Sequence, residues 1–460
     1  MKAPHAIMWT EEQMPARTMS LFALSVMLAL CLAACQPMDG TMPPPLVLLP
    51  PTATRSPTAP APSPTPSRTP IPRPTRADPP KPLAVVTANA TSSAWLARAE
   101  LAPGRSSPED WRRIQERARG EARVVLYSDT ARALTAAESF MRAYAGMAAE
   151  AYTLSSHDIH LRLLDDLQRD KSIADVYLVS DAPRTLQLWA QRRLWTYVPD
   201  DLSAVLPEPS RDPMLIHHWS AFTLVYNPKV SSQAPIDNWW DLARPEWRGR
   251  VVLPDPIGDE RTFYLLATIA QHGQEFAQAY RAEFGRELVL DADCINGGYQ
   301  WIKALLANQP ILLPSDADVA RLVGNVKADR AYIGLCGSEQ YAKVQRGDLA
   351  LTILYENMTP TVGLRWNTFL SLVDQAPHPN AAKLFVQWLM GDRTGREGYA
   401  PWHEPGIYPA RSDVPDPKGA PPRQQLEQRL WEIDAAHIVA NAQSVRDHIA
   451  AHIGRPVGGR

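Results

Sequence analysis

Between residues 111 and 390, short apolar runs of strand length alternate with segments of helical spacing, in two successive series. In the first series the strand runs are 124–127, 150–154, 174–179 and 222–226. Helical segments 134–144, 159–168 and 185–191 fall between them. The second series has strand runs 251–253, 288–290, 311–313, 332–335 and 349–354, with helices at 263–271, 299–306, 319–323 and 341–344. Alternation of this kind builds a mostly parallel sheet covered by helices on both faces. Two such units in tandem make two α/β lobes. A third segment, 366–373 and the helix 381–390, is too small to stand alone and is expected to return to the first lobe. The C-terminal stretch 424–453 is read as helices wrapped on that lobe as well. In open α/β sheets, ligands sit beyond the carboxyl ends of strands, so paired lobes predict a hinged crevice.

The 460-residue chain holds 44 prolines, and they crowd toward its start. Residues 41–82 are mostly Pro, Thr, Ser and Ala, which cannot bury apolar area and favour extended polyproline II. Before them, Arg17 precedes an apolar run at 19–32 that has the length of a signal-peptide core and ends Leu32-Ala33-Ala34-Cys35. That ending resembles the lipobox of bacterial lipoproteins, which implies that Cys35 carries the lipid and that the rest lies outside the cytoplasmic membrane. The expected organisation is a signal peptide at 1–35, a disordered Pro/Ser/Thr-rich tether at 36–105, lobe 1 at 106–226 plus 355–460, and lobe 2 at 227–354.

Four blocks resemble the ABC-transporter solute-binding proteins best known for ferric ion, the type 2 periplasmic binding proteins. They are EDWRRIQERARGEARVVLYS at 109–128, YNPKVSSQAPIDNWWDLARPEWRGRVVLPDP at 226–256, AYIGLCGSEQYAKVQRG at 331–347 and QAPHPNAAKLFVQWLMGD at 375–392, the last followed by Pro409-Ala410-Arg411. The resemblance implies a two-lobe α/β fold with two hinge crossovers. It also implies delivery of a small-molecule or ion ligand to the permease subunits of an ABC importer, and a monomer is expected. Each block also has local sense: Gly249 lets the chain turn into 251–253, and Asn380 is placed to cap the helix 381–390.

Loops after first-lobe strands are the expected crevice lining: Ser128, Asp129 and Thr130, then Ser156 and His157, then Ser180. Hydroxyls and carboxylates at helix starts suit a polar or anionic solute, although the same residues are ordinary helix caps. In the second lobe the expected contacts are Asp255, Arg261 and Thr262, then Ser338, Glu339 and Tyr355. Arg261 is placed to pair with an anion, and alanine there is expected to weaken binding while leaving the fold intact. Iron-binding members carry adjacent tyrosines where Ser338 and Glu339 align, and no Tyr-Tyr pair occurs in this chain. A small organic or phosphorylated solute is therefore the expected cargo, with ferric ion as the alternative. No cofactor is expected.

Adjacent His217 and His218 on an extended strand should point to opposite faces, which argues against one shared ion. Trp239 and Trp240 read as packing residues. Cys294 and Cys336 would both survive export, and an oxidising compartment makes a disulfide between them the favoured expectation. A formal charge of -2 offers no field for nucleic acid. No nucleophile elbow, zincin helix or phosphate-binding glycine loop appears, so an enzyme is not expected. An extracellular hydrolase assembled only in three dimensions, and a ligand-binding sensor lipoprotein, are the other classes.

Overall fold

A computed structural model describes residues 85–101, 109–169 and 172–454. The expected signal peptide, Cys35 and the tether at 36–84 and 102–105 lie outside the described residues. The described part of the expected tether, 85–101, contains a helix: α1 (Ala90–Arg98), whose start is capped by the Asn89 side chain, which accepts from Ser92 N at 2.8 Å. Its Trp95 is buried and donates its indole N–H to the Ala376 carbonyl at 2.9 Å. An alanine-rich stretch with a cap and one large apolar face is enough for a helix once a core is present to receive it.

The first series follows as α2 (Trp111–Glu121), β1 (Arg123–Ser128), α3 (Arg132–Ala143), β2 (Ala148–Thr153), α4 (Ser156–Gln168), β3 (Val176–Val179), α5 (Ala182–Ala190), β4 (Leu194–Trp195) and the long β5 (Leu215–Tyr226). The second runs through β6 (Val251–Pro254), α6 (Glu260–Gln271), α7 (Gly273–Phe284), α8 (Gly297–Ala307), β7 (Ile311–Leu313), α9 (Asp316–Val323), β8 (Ile333–Gly337), α10 (Tyr341–Gln345) and β9 (Thr352–Ile353). The chain closes with β10 (Gly363–Val373), α11 (Pro379–Met390), β11 (Ile407–Pro409), α12 (Arg423–Glu427), β12 (Leu430–Trp431) and α13 (Ala435–His452).

The strands join in the order β2-β1-β3-β10-β5-β8-β6-β7. β1 pairs in parallel with β2 and β3, and β6 in parallel with β7 and β8. Between these two parallel sets, β10 and β5 run antiparallel to each other and to their outer neighbours. Two hydrophobic cores result. One is built on Leu126, Phe140, Leu178 and Phe385, the other on Leu253, Phe263, Trp301 and Leu335. β5 and β10 pass through both: Leu215 and Leu370 belong to the first, Leu224 and Leu364 to the second. These two long strands run from one core into the other, which makes them the hinge crossovers; the three-residue β11 also straddles the boundary, with Ile407 in the first core and Tyr408 in the second.

Several expectations are corrected. Residues 288–290 form no strand, and Val289 is 83% exposed, because the run follows the left-handed turn at Gly285 and finds no strand partner. Asn380 does not cap α11, which starts one residue earlier at Pro379; the Glu121 carboxylate of α2 does that work, accepting from Ala381 N at 2.7 Å. The C-terminal segment packs on the second core rather than the first, burying Leu426, Ile438, Val445 and Ile449 there. Cys294 and Cys336 are free thiols, both buried. Cys336 lies in β8, between β5 and β6 in the sheet, whereas Cys294 precedes α8, where its thiol faces Asp293 at 3.7 Å.

His217 and His218 do not face opposite ways. The β5–β10 register shifts between Thr368, which pairs with His218, and Phe369, which pairs with Ile216, so His217 is an extra residue in a bulge. A bulge cancels the strict alternation of side chains, and the two rings meet with their Nδ1 atoms 2.7 Å apart.

Candidate functional site

A crevice of about 360 Å³ opens between the two cores, over the middle of the crossovers. One wall comes from helix starts that follow first-core strands. Asp129 and Thr130 lead from β1 into α3, Ser155 and Ser156 open α4, and Ser180 lies between β3 and α5. The other wall is the start of α6 with Glu339, which follows β8. His218 and Ser220 of β5 with Trp366 and Thr368 of β10 form the floor. The site thus has the placement an α/β sheet offers to ligands, beyond strand ends and at helix N-termini.

Of the residues singled out in the sequence, Asp129, Thr130, Ser156, Ser180, Arg261 and Glu339 come together on this surface. The other six lie outside its lining. Ser128 is buried and donates to the Leu178 carbonyl at 2.8 Å, and His157 is exposed. The Asp255 carboxylate accepts from Ile257 N at 3.0 Å, closing its own turn. The Thr262 hydroxyl donates to Asp259, the cap of α6, at 2.7 Å. Ser338 accepts from Ala221 N at 2.9 Å and donates to the Gly406 carbonyl at 2.5 Å. Tyr355 packs against the second core, with its carbonyl accepting from Arg429. Ser128, Asp255 and Ser338 thus spend a polar group on the backbone that shapes the crevice.

Arg261 is more deeply set than an exposed anion receptor. Its guanidinium donates to Glu339 Oε1 at 2.5 Å, lies 3.4 Å from Asp316 Oδ2, and is flanked by the Phe222 and Trp366 rings at 4.7 and 5.1 Å. Burial of Glu339 opposes its ionisation, but the Arg261 charge outweighs this and holds the carboxyl below its ordinary range. Among the described residues no partner reaches Arg261 Nε or Nη2, or Glu339 Oε2. These are strong hydrogen-bonding groups left unpartnered in a buried cluster beside the crevice. Asp129 is shifted the other way: burial pushes its carboxyl up to about 6, although Ser180 N donates to it at 2.8 Å.

Sequence reasoning missed Arg132, whose guanidinium reaches the Pro401 carbonyl at 2.9 Å and Glu404 at 2.6 Å on the crevice rim. It also missed the floor, because the floor lies within the crossover strands and not in the loops at strand ends. The available signal was polar residues inside otherwise apolar crossover strands: His218 and Ser220 within LIHHWSAFTLVY, and Thr368 within β10.

Two contacts span the crevice mouth. Arg184 of α5 bridges Asp181 and, across the gap, Glu260 of α6. Tyr264 of α6 donates to Asp181 at 3.1 Å. Burial of Glu260 is outweighed by the hydrogen bond and charge of Arg184, which hold it below the ordinary carboxylate range.

Residues 135–425 match the family described as bacterial extracellular solute-binding protein. Iron-bound HitA from Pseudomonas aeruginosa superposes with a TM-score of 0.54 at 18% identity, covering 71% of this chain and 99% of that one. The ferric binding protein from Campylobacter jejuni gives 0.51 at 17%, covering 72% and 100%. AfuA from Actinobacillus pleuropneumoniae, with fructose-6-phosphate bound, gives 0.51 at 15%, covering 72% and 97%. Likeness at this identity concerns the fold, the two-lobe type 2 periplasmic-binding architecture with its pair of crossovers. No curated protein matches the sequence.

Proposed function

The chain belongs to the bacterial extracellular solute-binding protein family, and from that premise we propose that it captures a small polar or anionic solute in the crevice over β5 and β10 and delivers it to the permease of an ABC importer. The observation that carries this reading is the convergence of helix starts from both cores on one crevice. The lobes, taken as 106–226 plus 355–460 and 227–354, would close about the two crossovers when contacts in both walls are made. Assigning α12 and α13 to the second lobe fits the burial of Ile438 and Ile449 better.

An organic or phosphorylated anion is favoured over ferric ion. HitA carries iron and AfuA fructose-6-phosphate. Among the described residues no tyrosine lines this crevice, and no group of three or more His, Cys, Asp or Glu stands together as ion ligands. Lipidation at Cys35, a monomeric state and the absence of catalysis complete the reading. The test is a melting screen with sugar phosphates, carboxylates and ferric citrate, followed by NMR of the added solute. Stabilisation by one anionic class with the solute chemically unchanged supports capture. Turnover of the solute, or stabilisation by ferric ion alone, would overturn it.

A further inference from the structure

The crevice floor holds a chain of hydrogen bonds whose direction is set by its buried end. His217 Nε2 lies 2.8 Å from the Leu389 carbonyl, an acceptor only, so this nitrogen carries the proton. Both rings are buried and burial holds both histidines far below their usual pKa, so each is neutral and has one N–H. His217 Nδ1 is therefore bare, and the 2.7 Å contact to His218 Nδ1 requires the proton to sit on His218. His218 Nε2 is then an acceptor, and the Thr368 hydroxyl 3.1 Å away must donate to it. Thr368 has no second proton, so the 2.9 Å contact with Ser180 Oγ requires Ser180 to donate inward. Turning the Ser180 proton toward Asp129 instead would set lone pair against lone pair at that contact, which buried groups do not tolerate without cost.

His218, Thr368, Ser180 and Asp129 all face the crevice. We infer that Ser180 and the adjoining Asp129 carboxylate form a subsite that accepts hydrogen bonds and offers none to the solute, so the solute must present a hydroxyl or ammonium group to the first-core end of the floor. This rests on the crevice being the solute site. It adds a polarity to that site: a donor on the solute at Ser180, with the charged donors of Arg261 and Arg132 on other parts of the wall. A solute with an ether, fluoride or quaternary ammonium at that place would leave two acceptors facing no proton, a mismatch that sites built on hydrogen bonds reject strongly.

The direction of the chain can be read without any ligand. In the full 15N-labelled chain at neutral pH, two-bond proton–nitrogen spectra, assigned with His217→Gln and His218→Gln, should show His217 protonated at Nε2 and His218 at Nδ1. Protonation of His218 at Nε2, or a doubly protonated ring, overturns the inference. The selection is read by melting with glycerol, sorbitol, ethanolamine and fructose 6-phosphate beside their O-methyl, deoxyfluoro or trimethylammonium counterparts. For each solute that binds, the expected result is at least ~10-fold weaker binding of the counterpart capped at the floor-facing group. In Thr368→Val, which frees the Ser180 proton, that difference should shrink to within about 2-fold. Equal binding of capped and uncapped forms to the natural chain overturns the subsite. If neither form of any solute binds while the tautomers stand as assigned, it is the solute-capture reading that fails, and the two failures are distinct.

Discussion

Asp129 and Arg261 are the residues whose surroundings say most about how the crevice is maintained, and each yields a prediction. Burial lifts the Asp129 carboxyl to about 6, above the value of about 3.9 expected in the unfolded chain. A carboxyl with a raised folded pKa binds more protons folded than unfolded between those values, so its contribution makes stability fall as pH rises through that window. Asn at this position can still accept from Ser180 N. Asp129→Asn is therefore expected to stabilise the protein above pH ~6 by about 1–2 kcal/mol, after allowance for crevice water, with no gain near pH ~4. Urea unfolding of both proteins at pH 4 to 7 checks this, and parallel stability curves would contradict it. Arg261 corrects its own expectation. Because it neutralises Glu339 and Asp316 within a partly buried cluster, Arg261→Ala strands two carboxylates and should cost about 3 kcal/mol of stability. Arg132 on the rim is the better probe of an anionic solute. Arg132→Gln should weaken such a solute about 10-fold while lowering stability by less than ~1 kcal/mol, since it removes a half-exposed pair with Glu404 and a hydrogen bond to the Pro401 carbonyl of a kind that an amide can also donate. An unaltered affinity would remove Arg132 from the site.

Among the elements, α13 is the one whose place least follows from pattern. Its apolar residues mark one helix face, but nothing in a linear pattern says which core receives that face. It lies against α6 and α8 of the second core and also reaches α5 of the first. Ile433, just before it, packs against both cores. With the Arg184–Glu260 bridge and the Tyr264–Asp181 hydrogen bond, α13 ties the two walls together on the α5–α6 side. Ending the chain at Ile433 should lower Tm by several degrees and broaden the distance between spin labels on α4 and α9, measured by double electron–electron resonance. An unchanged distribution would show that α13 does not restrain the walls. The strands of the two series were legible because a parallel strand covered on both faces is a short apolar run, as in Val124 to Tyr127 and Val251 to Leu253. The run at 288–290 misled for the same reason: apolar character alone does not supply a neighbouring strand. The bulge at His217 had no local signal, because register is set by the pairing partner.

For the whole molecule, the repeated alternation was sufficient for a two-core α/β architecture, and the four blocks for its family. The site was legible in part. Loops after strands were correctly sought as crevice walls, since that follows from sheet geometry, and Asp129, Ser180 and Glu339 meet there. The division between residues facing the crevice and residues shaping it was not legible. Ser180 and Ser338 follow their strands alike, yet one faces the crevice and the other is spent on the backbone of Ala221 and Gly406. Gly406 shows how tight that second role is: at φ +89 a Cβ there would lie 1.8 Å from the Ser338 carbonyl oxygen. The central claim is that the space between the cores exists to hold a solute. Native mass spectrometry of the protein as purified tests it most directly. One small molecule per chain, released on denaturation and largely lost in Arg132→Gln, is the predicted result. A mass equal to the polypeptide alone, unchanged after incubation with extracts of the cell's own small molecules, would contradict it.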